Sequence, residues 1–341
     1  MDTLEQLCRI DGVSGYEGNV AELMRKELKK SCDEILTDRF GNVIGRKGKG
    51  KKKIMLAAHM DEIGLLVKHI SKEGFLSFVK VGGIDDRILL DQRVVIKAKK
   101  GDVVGIIGAK PPHLQKSEDM KKVIKHEDLF IDVGAANKKA AEKLVEVGDP
   151  VIFEPCYGKL GKDLRYGKAV DNRVGCHILL EVMKQIPKNI DATVYAVGSA
   201  QEEVGLKGAR VAAFKLDPDY ALALDTTTAG DTPGVKETES ALKIGKGPAI
   251  TIMEAGGRGV ITHPKVKDVI MKAAKRKKVP TQIDILEGGM TDAAIIYLTR
   301  EGIPSGVISI ATRYIHGSSS VFSLSDVENA IKLTIETVKS L

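Results

Sequence analysis

Strand-like and helical segments alternate regularly from Lys168 to the C-terminus. Apolar runs such as 191–198 and 220–225 are followed by stretches whose apolar residues recur at helical spacing, such as 171–186 and 265–278. This alternation is typical of βαβ units, which build a largely parallel sheet flanked by helices. We therefore predict an α/β fold with a mostly parallel sheet.

A different pattern interrupts this fold between Gly64 and Phe153. Turn residues there separate short apolar runs, which read GLLVKHI, FLSFVKV, RVVIKAKK, DVVGIIGA, DLFIDVGA and DPVIFEP. Short strands in this arrangement predict a small β-barrel or sandwich of about 90 residues. We therefore expect a discontinuous catalytic domain, residues 1–63 plus 157–341, with a β-rich domain inserted at 64–156.

The first thirty residues predict two helices separated by a turn at 11–15. Ser14 and Glu17 have the spacing of a capping box for the second helix. A buried strand is expected over 53–59, and it ends at His59.

Composition places the chain among globular proteins, with 43% hydrophobic and 29% charged residues. The net charge of +7 arises partly from basic runs at 46–53 and 275–278, which contain no aromatic residues for base stacking. We interpret these runs as solvated turns and helix ends, and we expect no nucleic-acid partner. The charge gives only a faint indication of an acidic substrate.

Four cysteines without a CxxC pair indicate neither a zinc-thiolate site nor a disulfide scaffold. No signal-like N-terminus and no long apolar stretch is present, so neither export nor membrane insertion is expected. We predict a cytoplasmic location.

Histidine and acidic residues fall at the predicted strand ends or in the adjoining loops. In open α/β sheets, residues at the carboxyl ends of strands converge in space. Taken singly, such an Asp is more often a helix cap and such a His more often a core residue. Their joint arrival at successive strand ends favours a site. The candidates are His59, Asp171, Glu202, Glu203, Asp225 and His316.

Two imidazoles and several carboxylates suit a pair of divalent cations such as zinc, cobalt or manganese, and one carboxylate can bridge both. Asp61 lies two residues after His59, so it can accept the second ring N–H of that histidine. Glu202 and Glu203 are adjacent in sequence, so at a strand end their side chains point in different directions. One can therefore bind metal while the other transfers protons. A water with a lowered pKa, bridging the metals, would be the nucleophile.

Other catalytic motifs are absent from the sequence. There is no P-loop, no GxGxxG after a strand and no GxSxG nucleophile elbow. Phosphate-loop, dinucleotide and serine-hydrolase chemistry therefore lack support.

The motifs AHMDEIG, KAVDNRVGC, QEEVGLKGA, ALDTT, EGGMTDA and RYIH occur in this order over nearly the whole chain. Together they resemble the co-catalytic dimetal aminopeptidases of the tetrahedral (TET) type. That family includes glutamyl or deblocking aminopeptidases and members labelled endoglucanases. The resemblance implies a phosphorylase/hydrolase-like fold of the zinc-peptidase type, and a PDZ-like or barrel insert that mediates dimerisation. It also implies dimers that assemble into a tetrahedral homododecamer.

The resemblance also implies roles for individual residues. One metal would be held by His59, Asp171 and Asp225, and the other by Asp171, Glu203 and His316. Glu202 matches the general base and acid, and Asp61 the carboxylate behind the first histidine. The run 288–292 matches a loop near the site, although a turn capping a helix from Thr291 explains it equally well.

We therefore expect an enzyme that uses two divalent metals to remove N-terminal residues from peptides with free N-termini. The ligand set alone leaves open a dimetal deacylase or carboxypeptidase. An endoglucanase is a weaker alternative, because it would more usually need a pair of carboxylates at a sugar cleft. From a different class, the basic runs could belong to a nucleic-acid scaffold that has kept an enzyme fold.

Overall fold

The computed structural model describes residues 2–115, 118 and 121–341. Helices follow most of the predicted periodic segments. In chain order, the helices of these residues are α1 (Thr3–Arg9), α2 (Gly18–Leu28), α3 (Lys138–Ala141), α4 (Val170–Gln185), α5 (Lys207–Leu216), α6 (Pro264–Lys277), α7 (Ala293–Ile296) and α8 (Leu324–Val338).

Strands occupy both the predicted βαβ segments and the interrupting block. In chain order, they are β1 (Glu34–Thr37), β2 (Val43–Lys47), β3 (Lys53–His59), β4 (Gly64–Ile70), β5 (Leu76–Val81), β6 (Arg93–Ala98), β7 (Gly101–Gly108), β8 (Phe130–Asp132), β9 (Pro150–Phe153), β10 (Tyr157–Leu160), β11 (Leu164–Gly167), β12 (Thr193–Ser199), β13 (Tyr220–Thr228), β14 (Ala249–Met253), β15 (Gln282–Ile285), β16 (Ser305–Thr312) and β17 (Ser320–Ser323).

The large sheet has eight strands in the order β1-β2-β12-β3-β13-β16-β14-β15. Its four central strands, β12, β3, β13 and β16, are parallel to one another. Their side chains are buried nearly throughout, as expected for strands covered on both faces. The α/β prediction is confirmed, and the antiparallel pairs β1·β2, β2·β12 and β14·β16 make the sheet mixed towards its edges.

Strands β4 to β9 close into a separate barrel in the order β4-β5-β8-β7-β6-β9. Apolar side chains that include Leu65, Phe78, Ile96, Ile131 and Val151 fill its interior. Closure leaves no free sheet edge, which is how small antiparallel folds avoid edge-to-edge pairing. Of the two predicted architectures for this block, the structure therefore has the barrel.

The main core lies between the large sheet and helices α1, α2, α4, α6 and α8. Helix α4 packs closely against β13 at Gly175. A Cβ on this residue would lie only 2.3 Å from the Leu224 carbonyl oxygen. A smaller core under α5 and α7 covers the other face. The sheet is therefore covered by helices on both sides, with its strand ends left accessible.

Some features of the fold were not predicted. Strands β2 and β14 were missed, and so was a three-stranded sheet in the order β10-β11-β17; β2 includes the first two residues of the basic run 46–53. The capping box was wrong, because Glu17, not Ser14, occupies the N-cap of α2 and makes no side-chain cap bond. The Ser14 hydroxyl donates instead to Asp61. Across the described ranges, no helix combines the length and apolarity needed to cross a membrane.

Candidate metal centre

The central parallel strands bring the predicted site residues to one edge of the large sheet. His59 ends β3 and pairs with Ser199, the last residue of β12, and Glu202 and Glu203 follow three and four residues later. On the other side of β3, Ala57 pairs with Ala223, so His59 and Asp225 lie at the same level of their strands. The strand-end prediction therefore holds for these residues.

Asp171 lies between the two histidines. Its Oδ1 is 3.1 Å from His59 Nε2, and its Oδ2 is 3.2 Å from His316 Nε2. Asp225 Oδ1 and Glu202 Oε2 each lie 3.8 Å from His59 Nε2, and Glu203 Oε2 lies 3.4 Å from His316 Nε2. All six predicted centre residues thus lie together around the two imidazoles, which Asp171 links.

Local backbone geometry places Asp171 at this point. Ala169 is left-handed (φ 53°), and Asp171 and Asn172 depart from helical angles at the start of α4. The Asn172 side chain donates to the Leu224 carbonyl oxygen at 2.8 Å and accepts from Gly175 N–H at 2.9 Å. These contacts hold the turn against β13 and present the Asp171 carboxylate to the sheet edge.

Asp61 links the first histidine to the pair of glutamates. Its carboxylate accepts hydrogen bonds from Glu202 N–H at 2.9 Å, from Glu203 N–H at 3.1 Å and from the Ser14 hydroxyl at 2.6 Å. His59 Nδ1 lies 3.4 Å from the carboxylate and closer, at 3.1 Å, to the Asp61 backbone carbonyl oxygen. The predicted contact between His59 and the Asp61 carboxylate is therefore long, and the ring nitrogen lies nearer to the Asp61 main chain.

The second histidine is oriented by a residue from the barrel segment. His316 Nδ1 lies 2.8 Å from the carbonyl oxygen of Gly83, in the connection after β5. His316 itself has a left-handed backbone (φ 58°), a conformation that costs free energy in a non-glycine residue and often marks functional sites. The Gly83 contact was not predicted, because a backbone carbonyl has no signal in the sequence.

The donor set fits divalent cations. If each Nδ1 donates to its carbonyl, each Nε2 presents a lone pair to carboxylate oxygens, which are also acceptors. A cation between them resolves this conflict. Glu203 Oε1 is buried without a hydrogen-bond partner in the described part of the chain, as suits a ligand atom. Ligand atoms of His59, Asp171 and Glu203 lie within 4.8 Å of one another, and so do those of His59, Glu202 and Asp225.

Burial and crowded charge shift the pKa values of these groups. Burial, and then the charge of Asp171, raises the pKa of Glu203 to about 7. Burial likewise raises the pKa values of Glu202 and Asp225 well above their usual range. Burial opposes protonation of His316, but Asp171 and Glu203 outweigh it and raise its pKa to about 9. Protons held in such a cluster are those that a bound cation displaces.

Asp292 is a further buried acid beside the centre, at 1% exposure, and its Oδ2 accepts from Ser199 Oγ. Burial raises its pKa to about 6. It also occupies the N-cap position of α7 but makes no side-chain cap bond, whereas Thr291 Oγ1 accepts from Ala293 N–H at 3.3 Å. The run 288–292 therefore both caps a helix and contributes residues to the surroundings of the site.

A cavity of about 1220 Å³ opens from the centre. Its walls come from the end of β13 (226–228), from the segment 234–242 and from 283–291, together with the metal-centre residues. The cavity extends from Asp171 along the ends of β13 and β15.

The comparisons with known proteins point to one family. The family model for M42 glutamyl aminopeptidase matches residues 41–333. The structure of a TET aminopeptidase from the marine sediment archaeon Thaumarchaeota archaeon SCGC AB-539-E09 superposes with a TM-score of 0.96 at 39% identity, covering 99% of this chain and 95% of that one. The lysyl aminopeptidase of Pyrococcus furiosus is 33% identical over 100% of this chain and 97% of its own.

Two further structures bear on assembly and on the alternative activities. The TET1 peptidase of Pyrococcus horikoshii, described as assembling into a tetrahedron or a large octahedral shell, has a TM-score of 0.88 at 34% identity and covers 98% of this chain and 97% of that one. A Thermotoga maritima protein titled endoglucanase matches less well, with a TM-score of 0.80 at 34% identity over 98% of this chain and 96% of that one. The aminopeptidase prediction is confirmed over the endoglucanase alternative, and the chain belongs to the M42 glutamyl aminopeptidase family of metal-dependent peptide hydrolases.

Proposed function

We propose that this enzyme holds two divalent cations, one by His59, Asp171 and Asp225 and the other by Asp171, Glu203 and His316. The observation that carries the proposal is the position of Asp171, whose two carboxylate oxygens each face a different imidazole at 3.1 and 3.2 Å. One carboxylate placed in this way can bridge two ions. Zinc, cobalt and manganese all suit this set of imidazole and carboxylate ligands.

The bound ions supply Lewis acidity, which polarises the scissile carbonyl and lowers the pKa of the attacking water. Glu202 takes the proton from that water and passes it to the departing amine. Its carboxylate is buried, faces His59 at 3.8 Å and belongs to a residue whose N–H is fixed by Asp61. Burial raises the pKa of the Glu202 carboxyl, and a general base must be a group that takes up a proton and returns it.

Peptides with free N-termini are the proposed substrates. The cavity opens directly from the proposed ion sites, and carboxylates around them provide partners for an α-ammonium group. The deacylase and carboxypeptidase alternatives receive no support from the named relatives, which are aminopeptidases.

We further propose that residues 64–156 form a dimerisation domain and that dimers assemble into a tetrahedral dodecamer. Support comes from the closed barrel in this segment and from the assembly described for the Pyrococcus horikoshii relative. A chain that elutes as a monomer on size-exclusion chromatography contradicts this proposal. A cytoplasmic location is also proposed, since Cys8, Cys32, Cys156 and Cys176 are all free thiols.

Metal analysis combined with a substrate panel tests the proposed function. The purified protein should contain two divalent ions per chain and hydrolyse aminoacyl-4-nitroanilides but not their N-acetylated forms. Chelation should abolish hydrolysis, and adding back zinc, cobalt or manganese should restore it. Glu202→Gln should retain the metal and lose at least about 1000-fold in kcat, a loss of the size expected for a general base.

Wild-type turnover by Glu202→Gln would remove the proposed proton-transfer role. Equal hydrolysis of blocked and free N-termini would instead favour the deacylase alternative. Metal-free, inactive protein that binds RNA with a steep salt dependence would favour the scaffold.

A further inference from the structure

The wall of the active-site cavity carries a charge opposite to that of the chain. The chain has a net charge of +7, yet no Lys or Arg occurs among the described residues that line the cavity. Beyond the proposed ion sites, the lining includes Glu237, Glu239, Asp284 and Glu287. Two divalent ions would balance Asp171, Glu202, Glu203 and Asp225, and Lys243 lies 3.9 Å from Glu237, so the remaining three acids leave the cavity negative.

Asp284 differs from the other three acids because it is buried in the cavity wall, at 5% exposure. It lies on β15, next to Thr251 of β14. Its Oδ2 accepts hydrogen bonds from Thr251 Oγ1 and Thr227 Oγ1, both at 3.0 Å. These two hydroxyls and the Ile285 backbone N–H fix the carboxylate, and no cationic side chain among the described residues pairs with it.

A second buried acid lies close enough to Asp284 to interact with its charge. Glu254 is fully buried and accepts from the Thr291 hydroxyl at 2.6 Å. The negative charge of Asp284 adds to burial in raising the pKa of Glu254 to about 7. A cation at Asp284 would therefore relieve both the desolvation of one carboxylate and its repulsion of the other.

Asp284 lies along the cavity wall from the ion sites. Thr227 follows Asp225 by two residues on β13, which corresponds to roughly 6.6 Å along the strand. The Asp284 carboxylate accepts a hydrogen bond from the Thr227 hydroxyl at 3.0 Å. Asp284 therefore lines the same cavity as the ion sites but at a distance from them, and lysine and arginine carry their charge at the end of a long flexible side chain.

We propose that the cavity selects peptides whose first residue is lysine or arginine, and that Asp284 is the residue that binds this cationic side chain. The inference rests on the proposed function, since it assumes that the N-terminal residue binds beside the ion pair. An acidic side chain would meet the negative wall, and an aliphatic one would cover Asp284 without compensating its buried charge. The cavity thus predicts the reverse of the preference that the net charge of the chain indicates.

The test compares kcat/KM for lysyl-, arginyl-, leucyl- and glutamyl-4-nitroanilides on the metal-loaded enzyme. The lysyl and arginyl substrates should exceed the glutamyl one by at least about 100-fold. Asp284→Asn keeps an oxygen acceptor of similar shape but removes the charge, and it should lower the lysyl-to-leucyl ratio by about 10- to 100-fold. Asp268→Asn is the matched control, because it makes the same substitution at an exposed aspartate that does not line the cavity. It should change the ratio by less than about twofold.

A glutamyl substrate hydrolysed as well as the lysyl one overturns the inference, and so does a ratio that Asp284→Asn leaves unchanged. If the wild type hydrolyses leucyl but not lysyl substrate, the inference fails while the proposed function stands. If it hydrolyses none of them, the proposed function itself fails. If the Asp284→Asn variant does not fold, a binding measurement on the wild type still tests the inference. L-lysinamide should raise the Tm of the wild type more than L-leucinamide does at equal concentration. Equal Tm shifts contradict the inference.

Discussion

Asp61 accepts hydrogen bonds from the backbone N–H groups of both Glu202 and Glu203, at 2.9 and 3.1 Å. Through this one carboxylate, the loop after β12 is tied to the end of β3. The proposed general base and a proposed ligand of the second ion therefore share one support, and that support also lies behind His59.

Replacing Asp61 tests the importance of this support. In Asp61→Asn, the amide group cannot accept from both N–H donors, and the negative charge behind His59 is lost. We expect metal affinity or kcat to fall about 10- to 100-fold, as for other residues that orient metal-binding histidines. Ser14→Ala is the control, since it removes only one further donor to the same carboxylate and should cost no more than a few-fold. Titration of metal content and steady-state kinetics measure both effects, and equal effects in the two variants contradict the prediction.

Stability should depend strongly on the buried ion cluster of Glu62. Its carboxylate accepts from Lys168 Nζ at 2.6 and 2.7 Å and lies 3.3 Å from an Arg173 NH2 nitrogen, and all three side chains are at most 2% exposed. Glu62→Gln leaves two buried cations without a counter-charge, so the free energy of unfolding should fall by about 3–5 kcal/mol.

The control is Glu34→Gln, which breaks an exposed ion pair with Arg46 and should cost less than about 1 kcal/mol. Guanidinium denaturation with the ions present measures both. If the free energy of unfolding falls by similar amounts in the two variants, burial of the Glu62 cluster does not increase its contribution to stability.

The buried carboxyl of Glu254 should make stability depend on pH. Burial raises its pKa to about 7 from 4.5, so the folded state favours the protonated form more than the unfolded state does. The preference for the protonated carboxyl adds its full amount to the free energy of unfolding below about pH 4.5. This contribution is lost as the pH rises through about 7. In Glu254→Gln this loss is absent, so wild type should lose up to about 3 kcal/mol relative to the variant between pH 4.5 and pH 8. Parallel pH–stability curves for the two proteins contradict the prediction.

Removal of the ions should lower stability as well as activity. Without a cation, four carboxylates converge on two imidazoles, and an ion that binds only the folded state stabilises it by about 2.7 kcal/mol at 100 times its Kd. We expect Tm to fall on chelation and to recover with zinc, cobalt or manganese. His316→Ala removes a ligand of only one ion, so its Tm should respond to added metal less than that of the wild type. A Tm unaffected by chelation in the wild type contradicts this expectation.

Much of the site follows from one regularity of α/β sheets. Because β12, β3 and β13 are adjacent and parallel, residues at their carboxyl ends must converge, and this places His59, Glu203 and Asp225 without knowledge of any distance. What could not be predicted are contacts made by main-chain atoms, such as the Gly83 carbonyl oxygen beside His316. Ser14 was misinterpreted for a related reason, since local spacing favoured a cap while its partner, Asp61, lies 47 residues away.

Asp284 could not be recognised from the sequence either. It lies in a short strand whose apolar pattern says nothing about the cavity, and its neighbour Thr227 is 57 residues away. Only the three-dimensional arrangement of β13, β14 and β15 shows that its carboxylate faces the same space as the proposed ion sites.

The hydrogen bond between His316 and Gly83 joins parts of the chain separated by 233 residues, one in the barrel segment and one after β16. A site that needs both parts cannot be completed until the barrel has closed and docked against the large sheet. Ion uptake should therefore be among the last events of folding. The time course of tight metal binding during refolding would then report when the native tertiary structure forms.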